Sequence, residues 1–136
     1  MKKQQSVIFA GDYAYIRQIE TAIKSICRHN SHLKIYVLNQ DIPQEWFMNI
    51  RTYIQQMGGD LIDCKVIGAK YKMNWTNQLL HINHMTFARY FIPDFVEEDK
   101  VLYLDSDLVV TGDLSQLFEI ELEENYLAAA RSCFGA

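Results

Sequence analysis

The stretch Val101-Leu102-Tyr103-Leu104-Asp105-Ser106-Asp107 sets four apolar residues directly before two carboxylates that lie one residue apart. The apolar run reads as a buried strand and the polar triplet as the loop at its carboxyl end. Like charges this close repel unless a cation or strong hydrogen-bond donors stand between them. Hard divalent ions such as Mg²⁺ and Mn²⁺ take oxygen ligands, commonly one or two carboxylates completed by substrate phosphates. The spacing lets both side chains turn toward one open sheet edge, which makes Asp105 and Asp107 candidate metal ligands. In an ordinary turn the same triplet says little, because acids are common there. Its position at a strand end is what gives it weight.

Working outward, strands alternate with helices. Val7-Ile8-Phe9-Ala10 is a short apolar run that ends at Gly11-Asp12, a buried strand and a turn. Ile16, Ile19, Ile23 and Ile26, with Ala22 and Cys27, form one apolar stripe at helical spacing. Leu33 to Leu38 reads as a second strand. Asp41 and Pro43 open a helix with Asp41 as its N-cap, Trp46, Phe47, Ile50, Tyr53, Ile54 and Met57 form its buried face, and Gly58-Gly59 stops it. Leu61 to Ile67 is a third strand, residues 68–75 a polar loop, and Asn77 to Tyr90 a helix that ends before Pro93. Past the acidic triplet, Val109-Val110 reads as a short strand, Leu114 to Phe118 as a helical turn and Tyr126 to Ala130 as a further strand. This order implies an α/β fold, a parallel or mixed sheet covered by helices. Ligands of such sheets bind outside the carboxyl ends of the strands, so the loops after Ala10 and Leu104 are where chemistry is expected.

Composition bounds the function. The chain has 136 residues, 49% hydrophobic and 22% charged, which fits one globular domain over residues 1–136 and excludes disorder. A net charge of −4 argues against a nucleic-acid partner. The charge is uneven. Residues 94–124 hold eleven acids and one base, a net of −10, whereas residues 1–93 hold eleven bases and six acids, a net of +5. Most of the acidic block reads as a solvated surface, and part of it as cation-binding. Cys27, Cys64 and Cys133 are too few and too far apart for a disulfide framework or a zinc knuckle, which suits a reducing cytoplasm. The apolar run after Met1-Lys2-Lys3 is too short for a signal peptide, and no stretch approaches the length of a membrane span.

Two enzyme types place Asp-X-Asp after an apolar strand. Phosphohydrolases of the haloacid-dehalogenase type use the first Asp as nucleophile, but their motif usually opens the domain. Nucleotide-sugar glycosyltransferases place it in mid-domain, after a nucleotide-binding half, and the hundred residues ahead of Asp105 favour that layout. Beyond the triplet, several blocks resemble the retaining glycosyltransferases of family 8, which have the GT-A fold. Phe9-Ala10-Gly11-Asp12-Tyr13-Ala14-Tyr15 looks like the family's first strand and nucleotide loop, and Lys24-Ser25 like a pair on its first helix. Thr86-Phe87-Ala88-Arg89-Tyr90-Phe91-Ile92-Pro93 resembles the family's Thr-aromatic-Ala-Arg block. Lys100 to Asp107 matches the metal motif with its strand, and Gly112-Asp113-Leu114 with Leu117-Phe118 the segment after it.

The resemblance implies a Rossmann-like, mostly parallel sheet and a metal-dependent transfer of a hexose from UDP-glucose or UDP-galactose with retention. Asp105 and Asp107 would hold Mn²⁺ or Mg²⁺. Asp12 and Tyr15, with the loop from Ala10 and Gly11 through Tyr13 and Ala14, would hold uracil and ribose, although the family often has Asn where this chain has Ala14. Asp105 and Ser106 would also line the donor, Arg89 would reach its sugar or phosphate, and His81 falls near the acceptor, a glycan, lipid-linked sugar or protein. The family's third metal ligand, a His, and the residues facing the anomeric carbon belong to blocks beyond Ala136. The resemblance therefore covers the N-terminal portion of a catalytic domain. A truncated domain exposes an apolar edge, which favours self-association. A non-catalytic nucleotide-binding fragment is the alternative from another class.

Other candidates have plainer roles. His81 and His84 sit three residues apart, a spacing that suits packing or surface positions more often than a metal pair. Arg89 alone suits a helix end, and Asp12 alone suits the cap of the first helix. Trp75 lies in the polar loop, where it covers a ligand or packs onto the domain. Asp113 reads as a turn or cap residue rather than a catalyst.

Overall fold

The computed structural model describes residues 4–67 and 91–131. Among these residues four strands form one sheet: β1 (Gln5–Ala10), β2 (Leu33–Asn39), β3 (Asp60–Lys65) and β4 (Leu102–Tyr103). They lie in the order β3-β2-β1-β4, and every described pairing is parallel. Two long helices, α1 (Ile16–His29) and α2 (Gln44–Gln55), form the crossovers, and two single-turn helices, α3 (Ile92–Phe95) and α4 (Ser115–Phe118), flank β4 in sequence. The Asn77–Tyr90 helix, the polar loop with Trp75, and His81, His84, Arg89 and Cys133 lie outside the described residues.

The pleat sorts the strands into two apolar faces. Val7 and Phe9 of β1, Leu33, Ile35 and Val37 of β2 and Leu61 of β3 pack against Ile19, Ala22, Ile23, Ile26 and Cys27 of α1 and Phe47, Ile50 and Ile54 of α2. Trp46, Tyr53 and Met57 are partly buried at the margin of this cluster, and Trp46 meets Phe47 edge-on at 5.0 Å. Ile8, Tyr36, Leu38, Cys64 and Val66 face the opposite side, where Phe91, Ile92, Phe95, Val96, Val101 and Tyr103 cover them. The near-continuous apolar strands follow from this two-sided burial. Cys27 and Cys64 are free and buried in different clusters, and desolvation pushes their thiols up to about 11 and about 12.

Several expectations change in detail. Asp41 does not cap α2, because Pro43 holds the N-cap position and Asp41 lies two residues too early. The run from Val101 to Leu104 is half-buried rather than buried, and only Leu102 and Tyr103 join the ladder. As the end strand among the described residues, β4 has a partner on one side only. Val109-Val110 is not a strand: Val110 donates its N–H to Ser25 Oγ of α1 at 2.8 Å, which takes this backbone out of the sheet. Tyr126 to Ala130 is not a strand either; Tyr126 is fully exposed, so no apolar face holds it.

The turn out of α2 relies on glycine. Gly58 has φ +75°, the left-handed conformation that ends many helices. At Gly59 a Cβ would stand 2.4 Å from Leu33 O and 3.0 Å from Ile54 Cγ2, because the chain passes directly against the start of β2. On the opposite face, Tyr36 Oη donates to Glu98 Oε2 at 2.7 Å and Lys34 Nζ pairs with Glu98 Oε1 at 2.9 Å. Desolvation alone would raise the Glu98 carboxyl. The bonds from Lys34 and Tyr36 outweigh it and hold the group down at about 2. These contacts fasten the segment that leads into β4 to the middle of the sheet.

Gly59→Ala is expected to destabilise the chain by about 3 kcal/mol in urea unfolding, since the obstruction is backbone rather than a side chain that can swing away. Glu98→Gln is expected to cost about 1–2 kcal/mol at neutral pH. Because folding depresses the Glu98 pKa from 4.5 to about 2, its contribution is fully present above pH 4.5 and is lost as the pH falls toward 2. Denaturation curves across that window should lose part of their acid-side slope in the Gln variant.

Candidate functional site

Sequence order runs outward from β1 to β2 to β3, then jumps back to the other side of β1 for β4. The strand order reverses between β1 and β4, and such a switch point, at the carboxyl ends of a parallel sheet, is where sheets of this kind take their ligands. The loops after Ala10 and after Leu104, nearly a hundred residues apart in the chain, are therefore neighbours. Leu104 N donates to Ile8 O at 3.1 Å and carries the pairing past the end of β4. Beyond it Ser106 Oγ donates to Ala10 O at 2.6 Å, so the residue between the two aspartates is tied to the last residue of β1. Gly11 sits in the same corner. A Cβ there would stand 2.9 Å from Ile19 Cδ1 and 3.5 Å from Ser106 Oγ, so the two loops meet where a side chain has little room.

Past Gly11 the chain makes a single 3₁₀ turn over Tyr13–Tyr15, closed by Tyr15 N donating to Asp12 O at 2.8 Å. Tyr13, Ala14 and Tyr15 are exposed, so two aromatic rings line this edge in reach of solvent. Asp12 does not cap the turn; its Oδ1 accepts from Gln40 N at 3.1 Å. Asp41 Oδ1 accepts from Tyr13 N at 2.8 Å in return. The loop after β2 is held by Asn39, whose buried amide donates to Val37 O at 3.1 Å and Asp63 Oδ1 at 2.8 Å while its Oδ1 accepts from Ile42 N at 3.1 Å. Lys65 Nζ joins this group, 2.6 Å from Ile42 O and 3.2 Å from Asp63 Oδ1.

Asp105 and Asp107 are both exposed, on either side of the half-buried Ser106. Among the described residues no ion pair engages either of them. With the Ser106 hydroxyl committed to Ala10 O, the triplet offers two carboxylates and, among the described residues, no cationic side chain paired with them. That donor set fits a hard divalent ion held partly by protein and partly by water or ligand oxygens. Among the described residues no group of three or more His, Cys, Asp or Glu side chains stands ready to enclose a metal, so the fit is to an open, two-carboxylate edge.

The segment after the triplet runs along α1. Ser25 Oγ donates to Ala22 O at 2.7 Å and accepts from Val110 N. Asn30, where α1 ends, donates to Gly112 O at 3.2 Å and accepts from Leu114 N at 2.8 Å. Asp113 takes the turn role expected of it, accepting from Ser115 N at 2.7 Å where α4 begins. Asn39, Asp41, Ser25 and Asn30 organise this edge; the sequence pointed to Ser25 only as part of a family-like pair and to Asp41 only as a cap, and gave no sign of Asn39 or Asn30. Asn and Asp after strands and helices mark turns in general, and nothing in their spacing names a distant partner. No helix among the described residues is long and apolar enough to cross a membrane.

Comparison with known proteins gives this geometry its family. The model of glycosyl transferase family 8 matches residues 6–135. Glycosyltransferase GlyE of Streptococcus pneumoniae is 80% identical over 133 residues, covering 98% of this chain and 33% of GlyE. The first three curated relatives are all pneumococcal glycosyltransferases, and the chain spans 16–33% of their length. The apo crystal structure of GlyE superposes with a TM-score of 0.85 at 72% identity, over 98% of this chain and 31% of that one. A structure of galactosyltransferase LgtC in complex with donor and acceptor sugar analogues matches with a TM-score of 0.66 at 26% identity, over 88% of this chain and 44% of that one. A GT-A sheet with its Asp-Ser-Asp loop pinned beside the first strand, and a family match over nearly every residue, leave one conclusion: the chain belongs to glycosyl transferase family 8.

Proposed function

We propose that this chain supplies the donor half of a retaining, metal-dependent hexosyltransferase site that takes UDP-glucose or UDP-galactose. The observation that carries the reading is the 2.6 Å bond from Ser106 Oγ to Ala10 O, which sets the two aspartates beside the loop expected to take the nucleotide. In this proposal Asp12, Tyr15 and the backbone of Ala10 and Gly11 receive uracil and ribose, with Tyr13 and Ala14 completing the loop. Asp105 and Asp107 hold Mn²⁺ or Mg²⁺ against the diphosphate. The ion supplies Lewis-acid stabilisation of the charge that grows on a departing nucleoside diphosphate. The residues of the chain bind and orient. The exposed tyrosines offer flat surface to a base, and Ser106 fixes the spacing between the metal edge and the nucleotide loop.

Support also comes from relatives. LgtC binds donor and acceptor sugar analogues, and 88% of this chain matches 44% of the LgtC chain. The family match favours sugar transfer over the phosphohydrolase alternative. Arg89 and His81, assigned by resemblance to the donor sugar or phosphate and to the acceptor side, lie outside the described residues. The acceptor belongs to the same proposal as a glycan, a lipid-linked sugar or a protein. Free, buried Cys27 and Cys64 support a cytoplasmic setting.

Calorimetric titration of UDP tests the reading. Binding is expected to tighten about tenfold or more when Mn²⁺ is added, a gain of about 1.4 kcal/mol. Asp107→Ala is expected to remove that gain while leaving the circular dichroism spectrum unchanged, because the side chain is exposed in a loop. Equal affinity with and without Mn²⁺ in the parent chain contradicts the proposal, and unfolding of the variant makes Asp107 structural.

A further inference from the structure

We propose that Asp41 is a positioning residue for the nucleotide, acting through a reciprocal latch between the loops after β1 and β2. The inference rests on the donor-site reading above. Asp12 lies on the first loop and bonds to the backbone of the second; Asp41 lies on the second and bonds back to the first. Asp12 Oδ1 accepts from Gln40 N at 3.1 Å, and Asp41 Oδ1 accepts from Tyr13 N at 2.8 Å. The exchange joins adjacent residues on each side, 12 with 13 and 40 with 41, so each loop restrains the other.

Two features make this more than local turn chemistry. Both bonds span 28 residues, and neither is a cap supplied from within its own loop: Pro43 holds the cap of α2, Asp12 makes no capping bond to the 3₁₀ turn, and Asp41 reaches across from the second loop to the first N–H of that turn. The second loop is also anchored from below. Buried Asn39 is bonded to Val37, Ile42 and Asp63, so Gln40 and Asp41 project from a fixed base rather than from a free loop. The latch therefore carries the rigidity of the sheet into the exposed Tyr13–Tyr15 turn and into the Asp12 carboxylate. A carboxylate already oriented by a backbone amide meets a ligand with less ordering left to lose. Asp41 touches the loop and not the ligand, so its effect should fall on how well the loop recognises the base.

The test measures binding of UDP and CDP, each with Mn²⁺, to the parent chain, Asp41→Ala and Asp41→Asn, with a thermal melt of each. Asp41→Ala is expected to weaken UDP binding about five- to tenfold, the range of one ordinary net hydrogen bond, and to lower the UDP-to-CDP affinity ratio. Asp41→Asn keeps an oxygen acceptor for Tyr13 N and should stay within about twofold of the parent. A lower folded fraction scales both nucleotides alike and leaves the ratio unchanged, so the ratio separates positioning from stability. Unchanged UDP binding in Asp41→Ala overturns the inference, as does an equal loss for both nucleotides or loss of the fold. Failure of the parent chain itself to bind UDP is a different result, and removes the donor-site reading on which the inference rests.

Discussion

The bond from Ser106 Oγ to the carbonyl of Ala10 is the contact on which the rest of this edge depends. A parallel ladder delivers β1 and β4 side by side, but with only two residues of β4 in the ladder it fixes little beyond their direction. The aspartates lie past the end of that ladder. The serine continues its work by one further hydrogen bond, and it does so from between the two carboxylates. With Ser106 turned inward, its exposed neighbours stand at the edge where the strand order reverses. Charge that repels within the triplet is tolerated there because both groups face solvent or a cation rather than each other in a dry interior.

Around that contact the fold builds a layered support. The helix-covered face of the sheet is a continuous apolar cluster that holds β1 and β2 rigid. The opposite face is closed by the segment from Phe91 to Tyr103, fastened by Glu98 to Lys34 and Tyr36. Downstream, Ser25 and Asn30 of α1 take hold of the backbone at Val110, Gly112 and Leu114. The acidic loop is thus restrained before β4, at Ser106 and after the triplet, so an exposed loop is held by buried or half-buried polar side chains.

Much of this was legible in the sequence, for identifiable reasons. Strands buried on two faces write themselves as apolar runs, and α1 writes itself as an isoleucine stripe, so Val7 to Ala10, Leu33 to Leu38 and Ile16 to Cys27 were readable. So was the acidic triplet, because its position after an apolar run has a physical meaning. The failures share a cause. Val109-Val110 and Tyr126 to Ala130 have strand-like side chains, but the first gives its backbone to Ser25 and the second meets no packing surface. Asp41 looked like a cap because capping is the local use of an aspartate before Pro43. Its actual partner, Tyr13, is 28 residues away, and local pattern carries no information about that. Side-chain propensity reports what a residue does among its neighbours, and the site is made of contacts between segments that are not neighbours.

The central proposal is that Asp105 and Asp107 hold a divalent cation directly beside the loop that follows β1. Paramagnetic broadening of backbone amide signals by trace Mn²⁺ tests it most directly. The account predicts that the first signals lost are those of residues 104–108 together with residues 10–15, and that the effect disappears in excess Mg²⁺. Broadening confined to the acidic run of residues 113–124, with residues 10–15 untouched, would contradict it.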